Sequence, residues 1–424
     1  MLLRQARQMG RLFSSLEGNA RVIVVTEGVA AVSFQWYGSY MPLYMLALGV
    51  SKAQVGMLAG AVVLTKTVST LLGGYAADRF GRKRMLVSVD IVCWGIPMLL
   101  YAVAQNPWYF VVGRLINGCV YLVLPSFECL FIEDVPVDRR AGVFGTLQFL
   151  TSGARLLAPV AGGLVAWLGI VRAGRLITAT CMVSSITIAV VRHFTMRETT
   201  MGQERMGSTV GVPPRALIQE YLGIAAAMVR GHGVRTFLLV RGLVAFVTTM
   251  WTTYAVIYLT DAQGVALPKS LISLLPLLSA LTTMAMLVLS AERIRLTRAL
   301  DNLLLGQVLW LTAAVCFVAS PPGTLWYAVA WAVVGAVSTA LFAPAERNYW
   351  ANVVSDRERA QVFSAGFAFV SLVSLLAGPL AGALYTYRPR SPFLLGIALQ
   401  VLALGLLWSL RSRSVGAQAR PGAG

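Results

Sequence analysis

The feature that most constrains this chain is the length of its apolar runs. Twelve can be marked, at about 22–47, 53–76, 85–105, 107–131, 141–168, 176–191, 236–260, 270–290, 302–319, 324–349, 360–386 and 392–410. A helix needs about 20 apolar residues to cross the hydrocarbon core of a bilayer. In lipid the backbone must satisfy its own hydrogen bonds, so only helices or a closed barrel can span it. Barrel strands alternate in hydrophobicity over about 10 residues, whereas these runs are apolar throughout. The reading is an all-α integral membrane protein of twelve transmembrane helices. With 57% hydrophobic and 12% charged residues, a chain of 424 residues has too little polar surface to cover a water-soluble body.

The net charge of +18 does not point to nucleic acid, because Lys and Arg sit at the ends of apolar runs and form no basic domain. Basic residues favour cytoplasmic loops. With the N-terminus inside, the outer loops hold only Lys52, Arg172, Arg175, Lys269, Arg388 and Arg390 of the chain's 35 basic residues. Both termini are therefore expected in the cytoplasm of a multi-pass protein of the cell (inner or plasma) membrane. The first fifteen residues, MLLRQARQMGRLFSS, lack the apolar core of a cleaved signal and read as a basic cytoplasmic arm. Cys93, Cys119, Cys129, Cys181 and Cys316 all fall inside spans with no CxxC pair, which argues against a disulfide framework or a zinc site.

The runs divide six and six about one polar stretch. The expected organisation is a six-helix bundle over 1–191, a cytoplasmic linker over 192–235 with a short amphipathic helix at 216–222, a second bundle over 236–410 and a basic tail over 411–424. The halves also match in sequence. Pro125 and RAGVF at 140–144 recur as Pro344 and RAQVF at 359–363, both displaced by 219 residues. LLAPVAGG at 156–163 recurs as LLAGPLAG at 375–382. Tyr37, Tyr40 and Tyr44 recur as Trp251, Tyr254 and Tyr258, displaced by 214. Three matches in the same order read as a duplication, so the two bundles are expected to be pseudo-symmetric.

The loop after span 2 reads GYAADRFGRKR, over 74–84. Gly74, Asp78, Arg79, Gly81, Arg82 and Lys83 resemble the signature GxxxDRxGRR/K of the major facilitator superfamily, and the six-plus-six repeat fits the same family along essentially the whole chain. The resemblance implies a cytoplasmic gating loop. Asp78 would contact the start of span 11, and Arg82 would pair with Glu133 or Asp134 at the end of span 4. The second half has only ERIRLTR at 292–298, so the latch is expected to be asymmetric. Arg114 and Gly118 resemble a second family motif, RxxxG, linked to proton coupling; the other reading of Arg114 is a side chain snorkelling to the interface. Pro159, Gly162 and Gly163 resemble the antiporter motif of span 5, with Ala154 and Ala158 where glycines are usual. Together with Gly378, Pro379 and Gly382 of the second copy, they read as a helix-packing motif.

Ionisable residues inside spans are costly and default to functional readings. Glu27, Asp90 and Glu128 fall in the inner third of spans 1, 3 and 4. With Arg114 they are the proton-coupling candidates, Glu27 first, the alternative being a fixed ion pair with a nearby arginine. Lys66 and Arg155 lie nearer mid-depth. They suit an anionic substrate if they face the cavity and are structural if they face a neighbouring helix. The tyrosines and Trp251 share helix faces at i, i+3 and i+7. In the resembled family spans 1, 4, 7 and 10 line the cavity, so Gln35, Tyr37, Tyr40, Asn117, Gln148, Trp251 and Tyr254 join Lys66 and Arg155 as substrate-cavity candidates. An aromatic belt at the membrane surface is the competing reading of the stripes.

Enzyme chemistry finds no support: there is no Walker loop, no metal-ligand cluster, and His193 and His232 both fall in the linker. No cofactor is expected. The function that emerges is a monomeric secondary transporter that moves a small organic solute by alternating access, as proton-coupled efflux. The alternatives are a proton symporter for a sugar or organic anion and, in another class, a non-transporting receptor or scaffold.

Overall fold

The computed structural model describes residues 16–208, 232–289, 299–353, 366 and 369–418, and among them all regular structure is helical. Ten segments of these residues are long and apolar enough to cross a membrane. The twelve spans are thus not recovered as twelve, for two reasons. The 30-residue helix α1 (Gly18–Ala47) stands outside the ten; it carries Arg21, Glu27, Gln35 and three tyrosines along its length. Val143–Thr195 counts as one segment of 53 residues, because the loop expected between spans 5 and 6 is reduced to one break at Gly169. There φ is 72° and ψ is 164°, a conformation open to glycine and strained for other residues.

The remaining elements follow in order. They are α2 (Lys52–Phe80), α3 (Arg82–Ala102), α4 (Pro107–Ile132), α5 (Val137–Ala154), α6 (Ala158–Thr195), α7 (Thr200–Ser208) and α8 (His232–Thr260). Then come α9 (Leu274–Leu289), α10 (Ala299–Val318), α11 (Leu325–Val353), α12 (Ala377–Tyr387) and α13 (Ser391–Gln418). Helix α6 runs to Thr195, past the expected boundary at 191, so Arg192 and His193 belong to a helix and not to a linker. The arm, the 216–222 helix, ERIRLTR and the RAQVF repeat lie outside the described residues.

Two helices depart from α geometry within the bilayer. In α3, Asp90–Gly95 is π-helical. In α4, Cys119–Val123 tightens to a 3-10 turn just before Pro125. Proline has no N–H to donate and crowds the carbonyl four residues earlier, which accounts for that turn. A second 3-10 turn, Arg155–Leu157, precedes Pro159 in the same way.

The chain forms two compact units. The first comprises Met1–Ser51, Ala61–Leu217 and Pro268–Leu277, and the second Lys52–Gly60, Ile218–Leu267 and Leu278–Gly424. They differ from the expected halves in that the start of α2 groups with the second unit and the segment before α9 with the first. The first unit has a core of Ile23, Val24, Leu86, Val89, Cys93, Leu130, Phe131 and Met196 among others. The second is built around Phe237, Val240, Leu303, Ala403 and Leu407.

Candidate functional site

In the first unit the loop between α2 and α3 is held from three sides. Arg82 is 4% exposed and donates to the Glu133 carboxylate and, at 2.9 Å, to Thr199 Oγ1. The Lys83 N–H donates to Glu198 Oε2 at 3.0 Å, at the N-terminus of α3. Gly81 has φ +87°, and a Cβ there would lie 2.9 Å from Met206 Sδ and 3.0 Å from Glu198 Oε2. The motif glycine is therefore fixed both by backbone conformation and by the docked segment 196–206. Of the two acids proposed for Arg82, Glu133 makes the bond and Asp134 is exposed. Arg79 is exposed and donates to the Tyr75 hydroxyl. The close approach of α2 to α4 falls on Gly73, beside the motif residue Gly74, where a Cβ would lie 2.7 Å from Leu122 O. The partner proposed for Asp78, at the start of span 11, lies outside the described residues.

A buried charge cluster joins three helices deeper in the same unit. Arg192 of α6 is 2% exposed. Its Nη1 donates to Asp90 Oδ2 at 2.8 Å and its Nη2 to Glu27 Oε1 at 2.6 Å. Nε and Nη2 also reach Thr26 Oγ1, at 3.2 and 3.0 Å. Glu27 and Asp90 are thus brought together on one guanidinium, while Glu128 is exposed on α4 and is not among its partners. Sequence reasoning missed Arg192 because it follows a span, where an arginine reads as an ordinary inside charge.

The other candidates of this unit are dispersed. Arg114 is half-buried with no hydrogen bond or ion pair among the described residues, and its charge reaches Tyr37 and Tyr101. Gly118 lies against Thr65 with no room for a side chain. Asn117 is buried and donates to Cys93 O at 2.8 Å, inside the π-helical stretch. Lys66 sits 4.3 Å from the Tyr121 ring centre, a cation–π contact to a neighbouring helix. Arg155 and Gln148 are exposed, Gln148 donating to Ser152 at 3.2 Å, and Gln35 donates to Ser39 at 3.3 Å. A cavity of about 550 Å³ opens between α1, α5 and α6, lined by Val29, Val32, Ser33, Trp36, Leu150 and Ser184 among others. None of the substrate-cavity candidates lines it.

The aromatic stripes are spent mostly on helix packing. Tyr37 stacks on Tyr101 at 6.2 Å between ring centres. Tyr40 donates to Lys269 O at 3.2 Å and Tyr44 to Tyr101 O at 2.7 Å. In the second unit Trp251 packs against Trp310, Phe317 and Phe393. Tyr254 donates to Lys52 O at 2.6 Å, and Tyr258 accepts from Arg390 at 3.0 Å. Tyr37 Oη and Trp251 Nε1, at equivalent places in the two stripes, are each buried without a hydrogen-bond partner among the described residues. Glu346 pairs with Arg241 at 2.7 Å. The packing motifs sit at close contacts: Gly162 lies against Ser270 and Ser273, and Gly378 against Gly56. Pro379 meets Gly60, and Gly382 meets Ala53, but the space beside Gly163 is open.

Comparison with known proteins sets this geometry in context. A family model described as Major Facilitator Superfamily matches residues 23–300. The "Multidrug resistance protein MdtG" of Serratia proteamaculans is 26% identical over 366 residues, 84% of each chain. The "Quinolone resistance protein NorA" of Staphylococcus aureus is 22% identical, over 85% of this chain and 88% of its own. A "Na(+), Li(+), K(+)/H(+) antiporter" of Planococcus maritimus is 32% identical over 151 residues, so the match spans about a third of that protein, 35%. Among solved structures, a variant of the nucleoside transporter NupG aligns with a TM-score of 0.73 at 13% identity, covering 92% of this chain and 99% of its own. A D-xylose-proton symporter aligns at 0.69 and 14%, covering 92% and 97%.

Proposed function

The chain belongs to the Major Facilitator Superfamily, and from that membership we propose that it is a proton-coupled exporter of a small organic solute. It is a multi-pass membrane transporter by family and fold. The observation that carries proton coupling is the cluster of Glu27, Asp90 and Arg192. Two carboxylates share one guanidinium inside a membrane helix bundle. A site with one acid in excess favours taking up a proton, because uncompensated charge within the bilayer is costly. Export is supported by relatives named for multidrug and quinolone resistance and for cation/proton antiport.

Alternating access in this reading is carried by the two repeats, 1–191 and 236–410. The DRFGRK loop serves as the cytoplasmic latch in a monomer of the plasma membrane with both termini inside. Tyr37 of the first repeat and Trp251 of the second stay as substrate-contact candidates, because Tyr37 Oη and Trp251 Nε1 have no hydrogen-bond partner among the described residues and buried polar groups are otherwise nearly always bonded. Arg114, with no ion-pair partner among the described residues, keeps an organic anion as a second substrate class.

The test is reconstitution into proteoliposomes with ethidium as the transported probe and an imposed pH gradient. Gradient-driven ethidium flux in the wild type, abolished in Glu27→Gln, is the expected result. Equal flux in the variant would remove Glu27 from coupling, and flux indifferent to the gradient would remove the proton.

A further inference from the structure

We infer that the coupling proton binds at Asp90, with Glu27 holding Arg192 from the other side and Arg192 acting as the positioning residue for both carboxylates. The inference rests on the proton coupling proposed above and names the carrier within it.

The cluster contains one cation and two acids, so fully ionised it carries one uncompensated negative charge. One proton brings it to neutrality: the Asp90 carboxylate becomes a carboxylic acid, and Arg192 keeps its charge throughout. The two acids are not equivalent. The Asp90 side chain is 11% exposed and that of Glu27 31%. Burial acts against the charged form, and more so for the more buried group. The hydrogen bonding points the same way. Glu27 holds the shorter bond to Arg192, 2.6 Å against 2.8 Å, and the nitrogen that makes it also binds the adjacent Thr26. Asp90 is held through Oδ2 alone, and its other oxygen has no partner among the described residues.

Asp90 also occupies the mechanically sensitive position. It opens the π-helical stretch Asp90–Gly95, and Asn117 of α4 binds the Cys93 carbonyl within that stretch. Such π turns interrupt an α-helix and concentrate at functional sites. A proton on Asp90 weakens a charge-assisted bond to α6 at the point where α3 is irregular and tied to α4. A proton on Glu27 would act on α1, which is regular there. The ionisable groups around Asp90 among the described residues are Arg192 from α6, Glu27 from α1 and Cys93 on its own helix. No second cation is among them.

Removing either carboxyl leaves one acid on one arginine and ends titration whichever acid carried the proton, so neutral variants do not discriminate. Isotope labelling does. The full-length protein is made by cell-free synthesis with carboxyl-13C aspartate, and its pH-difference infrared spectrum is recorded in detergent without substrate. The expected result is a titrating carboxylic-acid C=O band that the label shifts, and that ceases to respond to the label in Asp90→Glu. In Arg192→Lys the midpoint of the band moves by about one pH unit or more, tenfold in proton affinity, which a residue with only a packing role would not produce. A band indifferent to labelled aspartate, or still label-sensitive in Asp90→Glu, overturns the assignment. If the labelled band behaves as expected but the pH gradient drives no ethidium flux in the wild type, the coupling is lost and the Asp90 assignment stands.

Discussion

Lys52 Nζ and Asp261 Oδ2 form an ion pair at 2.5 Å in the second unit, and the Tyr385 hydroxyl donates to the same oxygen at 2.8 Å. The pair ties the start of α2 to the end of α8 and to α12. Tyr254, stacked on Tyr385 at 5.0 Å, adds a hydrogen bond to the Lys52 carbonyl. Lys52 is 38% exposed and Asp261 11%, so solvent screens part of the attraction. Asp261→Asn is expected to cost about 1–2 kcal/mol of stability. Lys52→Asp alone should cost at least as much, and the double exchange Lys52→Asp with Asp261→Lys should recover part of it. Thermal unfolding of the purified protein measures all three, and a double exchange no better than the worse single variant would show that the pair does not contribute.

The same contact has a defined pH dependence. Burial alone would raise the Asp261 carboxyl, but bonds from Lys52, Tyr385 and the Gln263 N–H outweigh it and hold the carboxyl below its ordinary 3.8. A carboxyl lowered in the folded state contributes stability above its unfolded value, and that contribution disappears as pH falls through the folded value. The difference in unfolding temperature between wild type and Asp261→Asn should therefore be flat from about pH 8 to 5 and close only in stronger acid. A difference that closes near neutral pH would instead make Asp261 a physiological proton switch.

At the loop between α2 and α3 the two neighbouring acids separate cleanly. Arg82 is buried against Glu133, whereas Asp134 is exposed and lies outside that bond. Leaving a buried charge without its partner costs about 3 kcal/mol or more, so Arg82→Ala is expected to be strongly destabilising and Glu133→Gln nearly as costly. Asp134→Asn should stay within about 0.5 kcal/mol of wild type. Equal effects of the two acid substitutions in a melting assay would place Arg82 differently.

The sequence showed those features that depend on length, charge sign and repetition. Apolar runs give helices, and the signature loop identifies the partners of Arg82 to within two adjacent acids. It did not show which way a side chain turns. Arg192 follows an apolar run, where a snorkelling arginine and one buried against Glu27 and Asp90 look the same. Periodicity placed Tyr37, Tyr40 and Tyr44 on one face but not against a cavity or a helix, and that choice is made by Tyr101 and the 268–277 segment. Asp261 drew no notice because its partners come from α2 and α12, far away in sequence. The loop expected around 169–175 closed to a single residue because Gly169 can make the turn alone.

The packing motif yields a sharper contrast than its repeated glycines suggest. Gly162 and Gly163 are adjacent and read alike in sequence. A Cβ on Gly162 would collide with the Ser270 carbonyl and the Ser273 side chain, while one on Gly163 would meet nothing within 4 Å. Backbone cannot rotate aside as a side chain can, so the clash at Ser270 must be relieved by moving α6 or the segment before α9. Overpacking of this kind costs about 1–3 kcal/mol. Gly162→Ala is expected to lower the unfolding temperature clearly, and Gly163→Ala to leave it unchanged or slightly raised, since alanine favours a helix over glycine by about 1 kcal/mol. The second copy is predicted to behave like Gly162: Gly378→Ala meets the Gly56 carbonyl and backbone of α2. A Gly163→Ala protein as unstable as Gly162→Ala would mean that the space beside Gly163 on α6 is filled in the folded protein.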